Sequence, residues 1–482
     1  MTPARSRARI AALCFVPFLV ALEYSIVNVT LPGLAAELDV GAADLQWVLS
    51  GYAVALGAGL LAGGRLADSV GLRRVLSIGL WGFAVTSVAA AVAPTFGVLV
   101  VCRVGQGLSA AAAMPAALAA VTTLFEGRTR VRALSWWGAG ASLGFAMGAV
   151  LGGVLSAAAG WRAVFVACTA LAVAAVVLVG RVVPRIPPAV TEPPDWVGAV
   201  QIGVGAAAFI VACTGLAEVG TRPGAVLLWF GVAAAVVVTV RVRRRRATFT
   251  LVPVGFLGRR PILVANLVGA GAAAAGGGMV YFVTSFTQSA LGWSPAASGL
   301  LLLPDAAAAA AGAQTAGALT ARFGVARTFY LGMTAIAVGM STLAVTPVGD
   351  GALGWLVVGT CLVGYGLVLV GVVASIQASG ALGGGEHGLS GGLLVTTQQF
   401  GLAVGLALLS LAGQSVAGVG GYRAASAAGA VLAVGVCVVL FAFGGRRGST
   451  ASARFVGPAR RPGPGMVTSA TAKHSDRTLD GA

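Results

Sequence analysis

The sequence predicts an all-α membrane protein that crosses the bilayer many times. Of its 482 residues, 58% are apolar and only 9% are charged, whereas a soluble domain carries about 25% charged residues. A helix needs about 20 mostly apolar residues to span a bilayer, and fourteen runs of roughly that length lie between charges and Pro or Gly breaks. The basic residues alternate with these runs in the way expected of loops on opposite sides of a membrane.

The fourteen predicted spans follow one another with short connections. Segment 184–195 holds five prolines and predicts a non-helical linker, because proline lacks a backbone N–H and clashes inside a helix. Residues 444–482 are rich in Gly, Pro, Ser and Arg, which predicts a disordered tail. The approximate bounds of the spans are 11–31, 46–64, 75–93, 97–124, 134–157, 163–183, 196–217, 224–240, 262–287, 296–320, 326–346, 353–378, 388–413 and 424–443.

The basic residues predict that both chain ends are cytoplasmic in a bacterial cell membrane. Cytoplasmic loops carry an excess of Lys and Arg. With the N-terminus inside, all but four of the 31 Lys and Arg residues fall in the two tails or in cytoplasmic connections. Arginines 5, 7 and 9 precede an apolar run, as in a signal peptide. That run reaches about 20 residues and contains Glu23 and Asn28, so we interpret it as a retained first helix. The four exceptions are Arg103, Arg162, Arg222 and Arg423.

Charge and cysteine usage argue against several other functions. The net charge is +17, but nucleic-acid binding needs a clustered basic face, and the basic run 241–246 fits an anchor near anionic lipid. The six cysteines stand singly without a CxxC motif, which predicts neither a metal centre nor a disulfide framework. The single lysine, Lys473, does not complete a phosphate-binding loop, so the expected energy source is an ion gradient. We expect no cofactor, and the sequence carries no signal for an oligomeric state.

A short signature recurs in two predicted cytoplasmic loops. Residues 63–76 read GGRLADSVGLRRVL, and residues 317–328 read GALTARFGVART. At an offset of 253, Gly64 aligns with Gly317 and Gly71 aligns with Gly324. Such a repeat predicts two parallel six-helix bundles related by a pseudo-two-fold axis normal to the membrane, with two inserted helices between them. The predicted divisions are 1–183 (first bundle), 184–261 (linker and inserted helices), 262–443 (second bundle) and 444–482 (cytoplasmic tail).

Five motifs together resemble the major facilitator superfamily, and specifically its fourteen-helix drug:proton antiporters of the EmrB/QacA type. They are ALEYSIVNVTLP in the first span, the 64–74 loop, RVGQG at 103–107, GFAMGAVLGG at 144–153, and GLSGGLLVTTQQFGLAVGLA in the thirteenth span. The chain differs from the family pattern by Glu23 in place of Asp, by Ser69 and Leu72 in the loop, and by Ala149 in place of Pro.

The resemblance implies a proton-coupled exporter of small amphipathic drugs or natural products that works by alternating access. Its partners would be a small-molecule substrate, protons and the lipid bilayer, without nucleic acid. Proton-coupled uptake of a metabolite is the alternative within transporters, and Ala149 favours it slightly. A membrane-embedded enzyme would need a cluster of reactive side chains that the scattered cysteines do not supply, and a non-transporting sensor would not explain charges inside the spans.

Three ionisable residues lie inside predicted spans, where a charge costs about 2.5–3.5 kcal/mol and is functional by default. Glu23, Arg103 and Asp305 have similar predicted depths, which favours a shared cavity and a role in proton coupling. Glu23 is the first candidate for the proton carrier, and a structural carboxylate paired to Arg103 is the alternative. Arg103 is either a cavity charge or a clamp on backbone carbonyls. Asp305 is either a second protonation or cation site or a side chain that bonds locally.

The remaining candidate residues form three groups. By resemblance, the 64–74 loop is a gate that latches the cytoplasmic ends of the two halves, with Gly64, Arg65, Asp68, Gly71, Arg73 and Arg74 as its residues; an ordinary loop ion pair is the alternative. Glycines 140, 144, 148 and 152 recur every four residues, and this spacing predicts close helix packing; by resemblance, Gly144, Gly148, Gly152 and Gly153 also belong to the antiporter motif. The weakest candidates are aromatic and amide residues of the substrate cavity, for each of which a structural role is the alternative: Tyr24, Asn28, Gln106, Tyr281, Phe282, Gln288, Tyr365, Gln377, Gln398 and Gln399.

Overall fold

Fifteen α-helices and no β-strand make up the described part of the chain in a computed structural model. The structure describes residues 3–40, 42–188, 195–217, 223–244, 256, 258–349, 351–380, 387–414, 416 and 418–444. The described residues up to Leu440 belong to one compact unit. The helices are α1 (Pro3–Leu38), α2 (Ala42–Val70), α3 (Leu72–Ala91), α4 (Phe96–Leu124), α5 (Gly127–Val182), α6 (Trp196–Ala217), α7 (Pro223–Arg244), α8 (Arg260–Gly276), α9 (Met279–Ser289), α10 (Pro295–Leu300), α11 (Leu302–Phe323), α12 (Val325–Ala344), α13 (Ala352–Gly380), α14 (His387–Gln414) and α15 (Val419–Gly444).

Each of the fourteen predicted spans overlaps a helix, but the boundaries differ in two places. The spans 134–157 and 163–183 correspond to the two helical parts of α5, which non-helical backbone at Ala159 and Gly160 separates. The span 262–287 is divided between α8 and α9 at Gly277 and Gly278. The span 296–320 is divided between α10 and α11 at Leu301. Within the described residues, ten helical segments are long and apolar enough to cross a membrane, so fourteen spans remain a prediction.

Two glycines begin equivalent helices in the two halves of the chain. Gly71 precedes α3 with φ of 108°, and Gly324 precedes α12 with φ of 80°. These φ values lie in the left-handed region, which glycine adopts without the clash that a Cβ would cause. The two positions are 253 residues apart, so the repeated loop signature corresponds to a repeated backbone turn.

A ladder of glycines brings α5 against the backbone of α1. A Cβ on Gly144 would lie 2.1 Å from the Phe18 carbonyl oxygen, and one on Gly148 would lie 2.5 Å from that of Leu22. Gly140 and Gly152 meet the carbonyl oxygens of Cys14 and Ile26 in the same way. The four-residue glycine spacing therefore matches a four-residue spacing of carbonyl groups on α1, and any side chain on this face would separate the helices.

The second half of the chain repeats this packing between α14 and α8. A Cβ on Gly401 or on Gly405 would lie 2.1 Å from the carbonyl oxygen of Ala270 or of Ala274, respectively. Gly401 and Gly405 are 253 residues after Gly148 and Gly152. The repeat found in the loops thus extends to the closest helix contacts of both halves.

Contacts between α2 and α14 and between α5 and α11 join the two halves. Gly392 of α14 packs against the backbone of Leu60 and Gly64 in α2, and Gly317 of α11 packs against Val131 in α5. Helix α6 contacts both α2 and α14, and α7 contacts α6. The two helices between the halves therefore lie along one side of the joint between them.

Candidate functional site

Arg103 of α4 is the centre of a polar network buried within the first half. Its Nη1 forms an ion pair and hydrogen bond with the Glu23 carboxylate of α1. The same nitrogen donates to Gln106 Oε1 at 2.8 Å, and Nε donates to the Val48 carbonyl of α2 at 2.8 Å. Glu23, Arg103 and Gln106 are each 0% exposed. One guanidinium thus connects three helices without access to solvent.

The network continues from Gln106 to a third neighbour of α4. Gln106 Nε2 donates to Ser87 Oγ of α3 at 2.8 Å, and Ser87 donates to the Phe83 carbonyl at 2.7 Å. The Arg103 guanidinium also lies 4.5 Å from the centroid of the Tyr52 ring, a distance at which a cation is attracted to the ring face. Hydrogen bonds of this network therefore connect four helices, α1 to α4.

Two buried polar atoms beside the ion pair have no hydrogen-bond partner in the described part of the protein. They are Arg103 Nη2 and the Tyr52 hydroxyl. Removal of one member of a buried ion pair leaves an uncompensated charge and costs about 3–5 kcal/mol. The bond to the Val48 carbonyl fits the interpretation of Arg103 as a clamp on backbone carbonyls, and the ion pair fits that of Glu23 as its structural partner.

A cavity of about 360 Å³ lies between the two halves. Helices α1, α4 and α5 contribute one wall, and α8, α13 and α14 contribute the other, with Gly277 at the C-terminal end of α8. Its volume is at the lower end of the roughly 300–1,000 Å³ of small-molecule sites. The lining residues are Pro17, Met114, Leu118, Leu134, Trp137, Gly138, Ala141, Gly269, Ala272, Ala273, Gly277, Leu367, Val368, Val370, Gly371, Val372, Ser375, Leu394, Val395, Gln398, Gln399 and Leu402.

Few of the residues assigned to the cavity from the sequence line it. Gln398 and Gln399 do, whereas Gln106 belongs to the Arg103 network. Tyr365 bonds with Thr315 at 3.0 Å instead. The other candidates, Tyr24, Asn28, Tyr281, Phe282, Gln288 and Gln377, are absent from the lining, and four of these are exposed: Tyr24, Asn28, Tyr281 and Gln288.

The three ionisable residues of the spans do not share this cavity. Glu23 and Arg103 are brought together, but neither lines it, and Asp305 is not among its lining residues either. The position of a residue along a helix predicts its depth, whereas the direction of its side chain depends on the rotation of the helix. That rotation turns Glu23 towards α4 and away from the other half.

Asp305 lies in the first turn of α11 against α13. Its Oδ1 is buried and has no hydrogen-bond partner in the described residues. A Cβ on Gly364 would lie 2.0 Å from that oxygen, so the missing side chain of Gly364 provides the space for the carboxylate. Asp305 therefore occupies a niche of its own in the second half.

The Asp68 carboxylate connects the end of α2 to the start of α14. Its Oδ2 accepts a hydrogen bond of 2.9 Å from the backbone N–H of Leu389. Gly64, one turn earlier, lies against Gly392 of α14. The two ends are held together by a carboxylate at a helix N-terminus, where it satisfies a free N–H and complements the helix dipole.

Arg73 of this loop bonds within the first half of the chain. Arg73 Nη2 donates to the Gly180 carbonyl of α5 at 2.6 Å, and Arg74 is exposed. A Cβ on Gly71 would lie 3.2 Å from the Ile186 carbonyl. Arg65 is half-buried and has bonding partners. Of the six residues assigned to the gate, Gly64 and Asp68 thus make the described contacts with the other half.

Arg162 and Arg423, which the sequence analysis left without a role, each bond with a backbone carbonyl at an equivalent turn of the two halves. Arg162, after the α5 kink, pairs with Glu37 and donates to the Ala93 carbonyl. Arg423 of α15 donates to the Thr346 carbonyl at 3.1 Å. Ala93 and Thr346 are 253 residues apart, so the repeat places an arginine on corresponding carbonyls. In the sequence, both arginines were conspicuous because they lie outside the predicted cytoplasmic segments, where the other basic residues are concentrated.

Glu37 lies at the end of α1, beyond the apolar span Arg5–Asn28. The hydrogen bonds from Arg162 and from the Trp161 indole hold the pKa of its carboxyl below the ordinary value. This cluster ties α1 to the second part of α5.

The fold and the central cavity define a helical membrane transporter of small molecules, and comparisons with known proteins give the family. Residues 13–406 match the profile of the Major Facilitator Superfamily. The chain is 33% identical over 411 residues to the cephamycin export protein of Amycolatopsis lactamdurans, covering 84% of this chain and 85% of that protein. It is 31% identical over 410 residues to a tetracenomycin C resistance and export protein of Streptomyces glaucescens, covering 82% and 73%.

The structural comparison agrees with the sequence comparison. The fold matches that of the human organic anion transporter in its crystal structure with a TM-score of 0.65 and 17% identity, over 91% of this chain and 100% of the other. The chain belongs to the Major Facilitator Superfamily, as its motifs predicted, and is a multi-pass membrane transporter and not an enzyme.

Proposed function

We propose that this protein is a proton-coupled exporter of small antibiotic-like molecules in a bacterial cell membrane, working by alternating access. The observation that carries the proposal is the fully buried Glu23–Arg103 pair, in a fold whose two halves enclose a separate cavity. The relatives support the direction of transport, because they are named as export and resistance proteins for cephamycin and tetracenomycin C.

Glu23 is the proposed proton carrier. A proton on its carboxyl removes the negative charge that compensates Arg103, so the ion pair weakens while Arg103 keeps its bonds to Val48 and Gln106. Because an uncompensated buried charge is costly, the protonated protein favours a conformation in which the contact between α1 and α4 is rearranged. Proton binding thereby shifts the population between two states.

The glycine ladder is the proposed connection between this event and the other half. Helix α1 contacts α5 backbone to backbone along Gly140–Gly152, so a displacement of α1 carries α5 with it. Helix α5 in turn contacts α11 in the second half. Asp305 of α11 is proposed as a second protonation site, supported by its buried and unpartnered oxygen.

The proposed topology has fourteen spans with both termini in the cytoplasm. Support comes from the overlap of every predicted span with a helix and from the 253-residue repeat, which recurs in loops, helix starts and glycine contacts. The division into bundles 1–183 and 262–443, with inserted helices in 184–261, follows from that repeat. Reporter fusions after residue 40 and after residue 250 are expected to report opposite sides, and matching signals would rule out this topology.

In this topology the Asp68–Leu389 contact lies at the cytoplasmic ends of α2 and α14. We therefore assign the structure to a state closed towards the cytoplasm, with the 64–74 loop as the gate. The other residues predicted for the gate, Arg65, Gly71, Arg73 and Arg74, would support the turn within the first half.

Transport into inside-out vesicles tests the proposal. With an acidic lumen, the vesicles are expected to accumulate a radiolabelled antibiotic substrate without ATP, and a protonophore is expected to abolish accumulation. Vesicles that lack the protein provide the baseline. Accumulation that persists with the protonophore would contradict proton coupling, and accumulation only in right-side-out vesicles would indicate uptake.

A further inference from the structure

The central cavity has almost entirely uncharged and apolar walls. None of its lining residues is Asp, Glu, Lys, Arg or His. Side-chain oxygen or nitrogen atoms come only from the Trp137 indole, Ser375, Gln398 and Gln399. The Ser375 hydroxyl already donates to the Gly371 carbonyl at 3.0 Å. The side-chain groups left to donate a hydrogen bond to a substrate are therefore the indole N–H and the two amides, while the Ser375 oxygen can still accept one.

The Gln398 amide is placed in a gap between two glycines. A Cβ on Gly269 of α8 would lie 3.4 Å from Gln398 Nε2, and one on Gly371 of α13 would lie 3.7 Å from it. No hydrogen bond of the Gln398 or Gln399 side chain occurs among the described residues, and both residues are half-buried. Both amides line the cavity, so their donors and acceptors are placed to bond with a partner that enters it.

The ionisable residues Glu23, Arg103 and Asp305 do not line the cavity. Glu23 is neutralised by Arg103, and both are 0% exposed. Asp305 lies on α11, which contributes no lining residue. A cation entering the cavity would lose its hydration without gaining a counter-ion, and an unpaired buried charge is far more costly than a hydrogen-bonded neutral group. A hydrogen bond from a neutral amide offsets only a small part of that cost.

We propose that the cavity binds uncharged, mostly apolar ring compounds whose carbonyl, hydroxyl or ring-nitrogen groups bond with Gln398 and Gln399, and that it discriminates against cations. This inference names the substrate class of the proposed exporter and rests on that proposed function. The amides supply both a donor and an acceptor, so either type of neutral polar group finds a partner, while the aliphatic walls and Trp137 contact the rings.

A matched pair of probes tests the charge preference. Acridine is uncharged at mildly alkaline pH, and N-methylacridinium has nearly the same shape with a fixed positive charge. Binding of each probe to the purified full-length protein is measured by probe fluorescence. Specific binding is the part that disappears in Gly371→Phe, because the phenylalanine ring would occupy the cavity. We expect acridine to bind about tenfold or more tightly than the cation, a difference of about 1.4 kcal/mol.

Gln398→Glu should reverse this preference, because it gives the cavity a counter-ion for the cation. The matched control is Gln288→Glu, which adds the same charge at an exposed residue outside the lining and should leave the preference unchanged. Gln399→Glu gives a second measurement if Gln398→Glu does not fold. Equal or stronger binding of the cation to the unmodified protein, or specific binding of neither probe, would overturn the inference.

The same preparation separates this inference from the proposed function. If the predicted binding preference holds but reconstituted protein moves no substrate under a pH gradient, the exporter proposal fails and the binding class stands. If gradient-driven transport occurs and the cation is the preferred ligand, the exporter stands and the substrate class is wrong.

Discussion

The Asp68 carboxylate and the Leu389 backbone N–H, 321 residues apart in the sequence, form a buried hydrogen bond of 2.9 Å between α2 and α14. The bond caps the start of a helix in one half with a side chain from the other. Asp68 is 2% exposed, so water does not compete for it. Loss of such a cap costs about 0.5–2 kcal/mol.

Asp68→Ala is therefore expected to favour opening at this end of the cavity. The test is the alkylation rate of a cysteine at position 390, in a background without the native cysteines, since Ser390 is only 4% exposed. The variant should increase the rate several-fold. Glu126→Ala removes an exposed carboxylate and serves as the control, and an unchanged rate in Asp68→Ala would argue against the gate.

Gly144→Ala and Gly180→Ala form a matched pair on α5. Alanine at 144 places a methyl group 2.1 Å from the Phe18 carbonyl oxygen, whereas nothing lies within 4 Å of a Cβ at 180. Overpacking costs about 1–3 kcal/mol or more, while Gly→Ala in an open helix position is neutral or stabilising. We expect Gly144→Ala to lower the unfolding temperature of the purified protein and Gly180→Ala to leave it unchanged or raise it. Equal effects would contradict the contact.

Glu37 predicts a pH-dependent contribution to stability. Its pKa is lowered in the folded protein by Arg162, so the carboxylate stabilises the fold above its unfolded pKa, and this stabilisation disappears as the pH falls through the lowered value. Glu37→Gln should reduce the unfolding temperature modestly at neutral pH, and its difference from the unmodified protein should shrink towards zero in acid. Asp39→Asn, at a neighbouring exposed carboxylate, is the control. A difference in unfolding temperature that grows as the pH falls would contradict the stabilising role of the ionised Glu37 carboxylate.

The sequence predicts the helices well because burial in lipid requires long apolar runs. It also predicts the 253-residue repeat, through Gly71 and Gly324. The break at Gly160 falls between two predicted spans. The break at Gly277 and Gly278 was not predicted, because a glycine is compatible with either a helix or a bend. Such choices are made by tertiary packing.

The candidate site was only partly predictable for a similar reason. The rarity of charges in spans identified Glu23 and Arg103, and their ion pair follows from the high energy of isolated buried charges. The separate niche of Asp305 depends on Gly364, a contact between helices that no spacing along the chain encodes. The cavity is likewise formed where six helices meet. Most of its lining residues are aliphatic, and nothing in the sequence distinguishes them from the aliphatic residues that face lipid.

Glu23→Gln tests the coupling mechanism without a large change of shape. The substitution removes the titratable group but leaves a polar side chain beside Arg103. We expect exchange of substrate in the absence of a gradient to survive better than net export, because exchange requires no net proton movement. Glu23→Asp should keep partial activity, since only the reach of the carboxyl is shortened. If Glu23 is purely structural, Gln should instead lower the yield of folded protein, as should Arg103→Ala.

The most direct measurement is the number of protons moved per substrate by purified, reconstituted protein. The unmodified protein and Glu37→Gln, whose carboxyl lies on the same helix outside the network, should both couple substrate export to proton entry. Glu23→Gln should bind substrate and lose that coupling. Normal proton movement per substrate in Glu23→Gln would contradict the central claim and leave Asp305 as the next candidate carrier.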